Sequence, residues 1–329
     1  MKLKLSKKTI IIGSIVLAIL IIGIVSFVVI KNNKKSNIDN TNKNETIKDE
    51  PESKKVKIVN ENSTSRPYAV MINNISVARR LQSGLQDAYI VYEIIVEGGI
   101  SRYMALFMDQ NTTRIGSIRS SRHYFLDYAL ENDAIYVHHG QSPQAQRDFS
   151  ALSIDRVVVD NSKTGWRDTS LNVSSEHTLF TSIEKLNNGL GNLRTTRNKN
   201  LLLNYSADEI DTSNIEDVLD ANKISLVYSN STKVYYEYNS DNKYYLRSTE
   251  IGPHVDYVTK EQYHFKNIIA YQVGNTTLND GENKGRQEID NVGSGKGYYF
   301  TDGKVIPIKW KKESRKSQIV PTSGSISWE

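Results

Sequence analysis

The longest uncharged stretch of the chain lies near its start. Thr9 to Ile30 is almost wholly Ile, Val, Leu, Ala and Gly, with no polar face. Its 22 residues match the ~20 that carry a helix across a hydrocarbon core of ~30 Å, and exceed the ~7–15 apolar residues of a cleaved signal peptide. The run ends Phe27-Val28-Val29-Ile30-Lys31, without a small-x-small cleavage site. The pattern predicts an uncleaved signal anchor over 9–30, with the lipid bilayer as its partner. Lys2, Lys4, Lys7 and Lys8 precede it and Lys31, Lys34 and Lys35 follow. That bias puts residues 1–8 in the cytoplasm and everything beyond the span outside. Residues 31–63 are rich in Asn, Lys, Ser, Thr, Asp and Glu. Such a segment cannot bury enough surface to fold and reads as a flexible, disordered linker.

From Arg66 the pattern changes. Tyr68–Ile72 is a short apolar run stopped by Asn73-Asn74, a buried strand. Ala88–Val96 is β-branched and aromatic, and Arg102–Met108 forms its hairpin partner across Gly98-Gly99. Arg114–Ile118 reads as a strand leading into a helix over His123–Leu130, where Tyr124, Phe125 and Tyr128 recur at helical spacing. A strand at Asp133–His138, a helix opened by Ser142-Pro143 and a strand at Arg156–Asp160 follow. This alternation predicts an α/β layer with parallel strands. A further helix is expected around Thr181–Leu190. Beyond about residue 200 strands dominate: Lys223–Tyr228, the hairpin Lys233–Tyr238 with Lys243–Arg247, Lys266–Val273, and Gly297–Thr301 joined to Lys304–Trp310 by Asp302-Gly303, a tight-turn pair. The expected organisation is an α/β N-terminal domain over 64–215 and a mainly β C-terminal domain over 216–329.

Charge and composition narrow the function classes. Residues 1–63 hold twelve lysines and six acids, so of 42 basic and 37 acidic residues in all, 30 and 31 remain beyond residue 63. The folded part is therefore close to neutral, which argues against a nucleic-acid partner held by phosphate contacts. The chain has no cysteine. Disulfides, Fe–S clusters, thiolate zinc sites and thiol nucleophiles are all excluded, as is a lipid-modified cysteine. No cofactor or metal is expected.

Several segments, in order along the chain, resemble the YerB-like lipoprotein family, a pair of domains of unknown function. They are Arg66–Ile72, Gln82-Ser83-Gly84-Leu85, Ile90-Val91-Tyr92-Glu93, Val96–Arg102, Gly116–Arg122, Tyr136-Val137-His138, Trp166-Arg167-Asp168 and Gly293–Phe300. The resemblance spans roughly residues 65–312. It implies an extracytoplasmic, membrane-attached protein of Gram-positive-type bacteria with two domains. It implies no established activity and hence no catalytic residues. This chain departs from the pattern in carrying an apolar span where the family has a lipid-bearing cysteine, and in a tail after Trp310 that reads as abbreviated.

The densest polar cluster is Arg114, Arg119, Ser120, Ser121 and Arg122, at a strand-to-helix junction. Backbone N–H groups of a helix start and bidentate arginines suit a phosphate or carboxylate. Arg102 and His138, the latter at a strand end where α/β sheets place ligands, join them as ligand-binding candidates. The alternative is that the serines cap the helix and the arginines pair with Glu93, Glu97 or Asp127. Glu93 and Glu97, four apart on one strand, would stand ~13 Å apart. Glycoside hydrolysis needs carboxylates at about 5–9.5 Å. Asp168 or Glu176 would have to supply the second acid, with Glu97 and His138 as acid–base candidates. His138-His139 point to opposite faces of a strand and do not make a metal pair; His138 could complete a site with His123 and His177, yet no spacing demands it.

Four short segments imitate known motifs. Lys163-Thr164-Gly165, Ser182–Lys185 and Ser240-Asp241-Asn242 are in the wrong order for a penicillin-binding enzyme. Gly293–Gly297 lacks the first glycine and final Ser/Thr of a phosphate loop. Tyr235, Tyr236, Tyr238, Tyr244 and Tyr245 stripe one hairpin, as core packing or as a glycan- or protein-binding face. The expected function is an extracytoplasmic binding or accessory module for an anionic ligand, such as a wall polymer or peptide carboxylate, with an envelope protein as a further possible partner. The alternative is a cell-envelope hydrolase.

Overall fold

Along Tyr68–Ile72 every residue is buried, and successive side chains serve two different cores. The computed structural model describes residues 58–322. The predicted span Thr9–Ile30 and the linker as far as residue 57 lie outside the described residues. Among those described, no helix is long and apolar enough to cross a membrane. The folded part starts before residue 64: Val59 and Ser63 are already buried, and Arg197 donates to the Ser63 carbonyl at 2.9 Å.

Strands β1 (Tyr68–Ile72), β2 (Ile90–Ile95) and β3 (Ser101–Phe107) are followed by a two-residue β4 (Ile115–Gly116), then β5 (Ile135–His138) and β6 (Arg156–Val158). Five of them form a sheet of order β2-β3-β1-β5-β6. Of the strands expected to run parallel, β5 and β6 do so, with β1 rather than β4 as their parallel neighbour, whereas β2, β3 and β1 pair antiparallel. The physical reason is the short β2–β3 connection. It turns through Gly98 and Gly99, both at φ +70°, and a tight hairpin can join only antiparallel strands.

Helix α1 (Ser76–Arg79) is a single turn, while α2 (His123–Glu131) and α3 (Pro143–Ala151) cover one face of the sheet. Ser142 caps α3 by accepting from the Ala145 N–H at 3.2 Å, with Pro143 at the first helical position, as the Ser-Pro pair predicts. Tyr68, Val70 and Ile72 face the other core, which α4 (Ile183–Asn188) closes with Ile183 and Leu186. The strand expected at Arg114–Ile118 shortens to β4. It sits in a small sheet with β7 (Trp166–Arg167) and β8 (Leu179–Thr181), in the order β4-β8-β7.

Beyond residue 215 the described chain is β throughout. After a two-residue β9 (Leu219–Asp220) come β10 (Lys223–Ser229), β11 (Thr232–Asn239), β12 (Tyr244–Thr249), β13 (Gly252–Pro253) and β14 (His264–Phe265), forming one sheet without β9. A second sheet contains β15 (Asn267–Tyr271) and then, past the small hairpin of β16 (Gly274–Thr277) and β17 (Gln287–Asp290), β18 (Gly293–Thr301), β19 (Lys304–Lys312) and β20 (Val320–Thr322). Its order is β15-β18-β19-β20, with β9 also against β19. Asp302 and Gly303 both take positive φ, +47° and +74°, the backbone a right-twisted two-residue hairpin demands. Of the tyrosine stripe, Tyr236 and Tyr245 are core and Tyr235 is exposed. Ser240-Asp241-Asn242 lies in the β11–β12 turn.

Candidate functional site

The loop from Ile118 to Arg122 lies across the carboxyl ends of β1 and β5. The Arg119 N–H donates to Met71 O at 2.9 Å and the Ser121 N–H to Gly140 O at 3.0 Å. From β1 the chain passes to β2 on one side of the sheet, and from β5 to β6 on the other, and a crevice outside such strand ends is where open α/β sheets bind ligands. Arg122 is the N-cap residue of α2, and no side chain caps the helix. The serines therefore do not serve as caps: the Ser121 hydroxyl accepts from Tyr136 at 2.9 Å, and the Ser120 carbonyl accepts from Arg102 at 2.6 Å.

Three guanidinium groups meet here with two carboxylates. Arg122 grips Glu97 in bidentate fashion, Nε to Oε1 at 2.5 Å and Nη2 to Oε2 at 3.0 Å. Arg119 donates to Glu176 Oε2 at 2.8 Å, on an open surface. Arg102, only 5% exposed, has no carboxylate of its own among the described residues. Burial, and then the neighbouring Arg122 charge, press its guanidinium down to about 9, against the opposing pull of Glu97. It remains a cation at neutral pH in surroundings that do not fully compensate it.

The carboxylates expected as acid–base groups are all held ionised. Burial works to raise Glu97, and the hydrogen bonds and charge of Arg122 outweigh it, so its carboxyl sits below the ordinary value. Glu176 is lowered by its Arg119 hydrogen bond. Asp168 is lowered by the Ser170 hydroxyl and further by Arg114, its ion-pair partner at 2.9 Å. Glu97 itself lies beyond β2, in the turn, so it shares no strand face with Glu93. Asp127 does not take one of the clustered arginines; it pairs with Arg315 at 2.7 Å.

His138 is 1% exposed at the end of β5. Its Nδ1 lies 2.8 Å from Gly140 O, while its Nε2 has no hydrogen-bond partner among the described residues. The ring stacks obliquely on Phe149, 4.9 Å between centroids. Burial pushes its pKa down to about 4 from 6.5. A histidine depressed on folding contributes stability that is intact above about pH 6.5 and is lost as pH falls through 4. Two and a half units correspond to about 3 kcal/mol. Urea unfolding at pH 7 and pH 4 should show wild type losing about that much more than His138→Gln over the same interval. Equal losses would mean the imidazole is not buried neutral. Of the other histidines, His123 faces Glu288 at 3.0 Å, while His177 faces Asn73 at 3.0 Å and Glu176 at 3.6 Å. No group of three or more metal-ligating side chains occurs among the described residues.

Glu93 belongs to a different, largely buried network. Arg247, 2% exposed at its side chain, donates to Glu93 Oε2 at 3.1 Å and Oε1 at 3.2 Å. Ser101 and Asn74 donate to the same carboxylate at 2.6 and 3.2 Å. Arg247 also donates to His254 Nδ1, which fixes the proton on Nε2, facing Gln82 Oε1 at 2.5 Å. Burial, and then Arg247, hold His254 well below its usual pKa, so it acts as a neutral relay between arginine and amide. Sequence reasoning placed Glu93 near arginines but missed Arg247. The available signal was parity, since Arg247 shares a strand face with buried Tyr245 and Thr249.

The fold and this junction define a two-part chain whose β-rich half is pinned to its α/β half through buried ion pairs. Comparison with known proteins shows the family. A family model described as "Protein of unknown function (DUF3048) N-terminal domain" matches residues 55–196, and the corresponding C-terminal domain matches 224–326. The chain belongs to this YerB-like family. It is 31% identical over 262 residues to "Putative lipoprotein YerB" of Bacillus subtilis (strain 168), covering 78% of this chain and 75% of that one. It is also similar to the crystal structure of the YerB protein from Bacillus subtilis, with a TM-score of 0.67 and 29% identity over 80% of this chain and 87% of that one. The C-terminal match runs to residue 326, through the tail that reads as abbreviated in sequence.

Proposed function

We propose that this protein is an extracytoplasmic, membrane-tethered binding module of the cell envelope that takes an oxyanion, a wall-polymer phosphate or a peptide carboxylate, at the Arg102–Arg119–Arg122 junction. The observation that carries the proposal is the charge imbalance: three guanidinium groups share Glu97 and Glu176, and the most buried of them has no carboxylate of its own among the described residues. Arg119 can exchange its carboxylate for a ligand oxyanion at little cost, because Glu176 is exposed, whereas the Arg122–Glu97 pair is largely buried and is held more firmly. Oriented arginine donors recognise phosphate and carboxylate alike. Binding is favoured over hydrolysis because Glu97, Asp168 and Glu176 are all stabilised as carboxylates, whereas a general acid needs its pKa raised. The location rests on the uncharged run Thr9–Ile30 and on the name of the Bacillus relative.

Replacing Arg119 and Arg122 together by Ala should weaken binding of a linear glycerol-phosphate polymer or polyglutamate at least tenfold, with the melting temperature within a few degrees of wild type. A collapse of the melting temperature would make both arginines structural. Unchanged binding by a folded double variant would remove the site. Protease applied to intact cells should degrade the folded part; full protection would place it inside.

A further inference from the structure

A cavity of about 890 Å³ lies between β2 and the β-rich half, walled also by Leu202, Tyr205 and β10. Every consecutive residue of β2, Ile90 to Ile95, and of β15, Asn267 to Tyr271, lines it. A strand that presents its face to a cavity contributes only alternate residues, because side chains alternate. An unbroken run means that the strand's edge faces in. Both strands are terminal in their sheets, so each has a row of N–H and C=O groups without a ladder partner. Along β2 two groups of that row are met by side chains: the Tyr228 hydroxyl donates to Glu93 O at 3.2 Å and the Tyr124 hydroxyl to Ile95 O at 2.9 Å. The whole of β2 is only half-buried, whereas β1 and β3 are buried throughout.

The charges on the walls say what can enter. Glu93 is neutralised by Arg247, and Lys266 by Asp302. Asp87 accepts from the Thr112 hydroxyl at 2.6 Å and has no cationic partner among the described residues. The lining thus has no spare cation for an anion, and offers rows of amide donors and acceptors between Tyr89, Tyr92, Tyr236 and Tyr271. We propose that this cavity is a slot for an extended, uncharged or weakly basic peptide segment of a partner protein, which adds as a strand to the exposed edge of β2. Main-chain hydrogen bonds supply the affinity in such additions, and pockets for alternate side chains supply the selectivity. Six residues of strand span about 20 Å at 3.3 Å each, the length of β2 itself. The tyrosine hydroxyls now on Glu93 and Ile95 hold the place of incoming amides and are displaced by them.

The test uses the full-length chain in lipid nanodiscs. Heptapeptides selected from a random displayed library are resynthesised with and without N-methyl groups on alternate amides. The proposal expects apolar residues at alternate positions, at least a tenfold loss of affinity on methylating one of the two amide rows, and slowed hydrogen exchange at β2 amides in the complex. Tyr228→Phe, which frees the Glu93 carbonyl, should bind the unmethylated peptide more tightly than wild type. No selected binder, equal affinity of both methylated forms, binding of anionic peptides at the arginine junction instead, or a lipid acyl chain found occupying the cavity would each overturn it. Arg119→Ala/Arg122→Ala should leave peptide binding unchanged, which separates this inference from the anion site.

Discussion

Arg247→Met is expected to cost about 3–5 kcal/mol, the magnitude for removing one partner of a buried ion pair. The reason is what remains. Glu93, 9% exposed at its side chain, keeps donors from Ser101 and Asn74 but loses the only cation among the described residues that touches it. His254 loses its donor as well, leaving a second buried polar group short of a partner. Urea unfolding of the single variant, of Glu93→Gln and of the double variant separates the contributions. The double variant should be more stable than Arg247→Met, because replacing both charges removes the uncompensated one. A single-variant cost under about 1 kcal/mol, the range of an exposed pair, would show that water reaches the network.

Lys312→Met should be destabilising on the same scale of about 3–5 kcal/mol, and its effect should depend on pH. Lys312 and Glu131 are both wholly buried, with Nζ to Oε2 at 2.6 Å. Burial raises the Glu131 pKa above its ordinary value even with Lys312 present. A carboxyl raised on folding is favourable to the fold when protonated, and its contribution is lost as pH rises through the folded pKa. Without the lysine that pKa climbs further, so the deficit of Lys312→Met relative to wild type should shrink as pH is lowered from 7 toward 5. Adding Glu131→Gln should recover much of the loss at pH 7. A deficit that does not vary with pH would assign the effect to packing alone.

These two cations show what the sequence revealed and what it concealed. Apolar runs between glycine and asparagine signals located the longer strands but not the short β7, β8, β9, β13, β14, β16, β17 and β20, and Ser-Pro and Asp-Gly located a helix start and a hairpin turn, because each rests on local backbone chemistry. Lys312 and Arg247 were legible too, but only by parity: Ile306, Ile308 and Trp310 are buried at alternate positions of β19, and the next inward position is Lys312. What parity could not provide was the partner. Glu131 lies 181 residues away and Glu93 154 away, and no local pattern encodes such pairings. The same limit explains the arginine junction. The cluster itself was visible, as was Glu97 as one possible partner, but not that Glu176 meets Arg119 or that Asp168 takes Arg114. Asp127, one of three carboxylates the sequence offers to those arginines, belongs instead to Arg315, in the tail beyond β19. The sheet's mixed direction followed from a hairpin that the glycines marked, yet the βαβ rhythm after residue 133 drew attention to the parallel half.

The most direct test of the anion-binding account is a calorimetric titration of the full-length chain in nanodiscs with a linear glycerol-phosphate polymer, repeated from low to high salt and against an uncharged polymer of equal length. Saturable binding of the phosphate polymer alone is predicted, weakening steeply as salt screens the arginine charges. Binding that ignores salt, or that the neutral polymer reproduces, would contradict it.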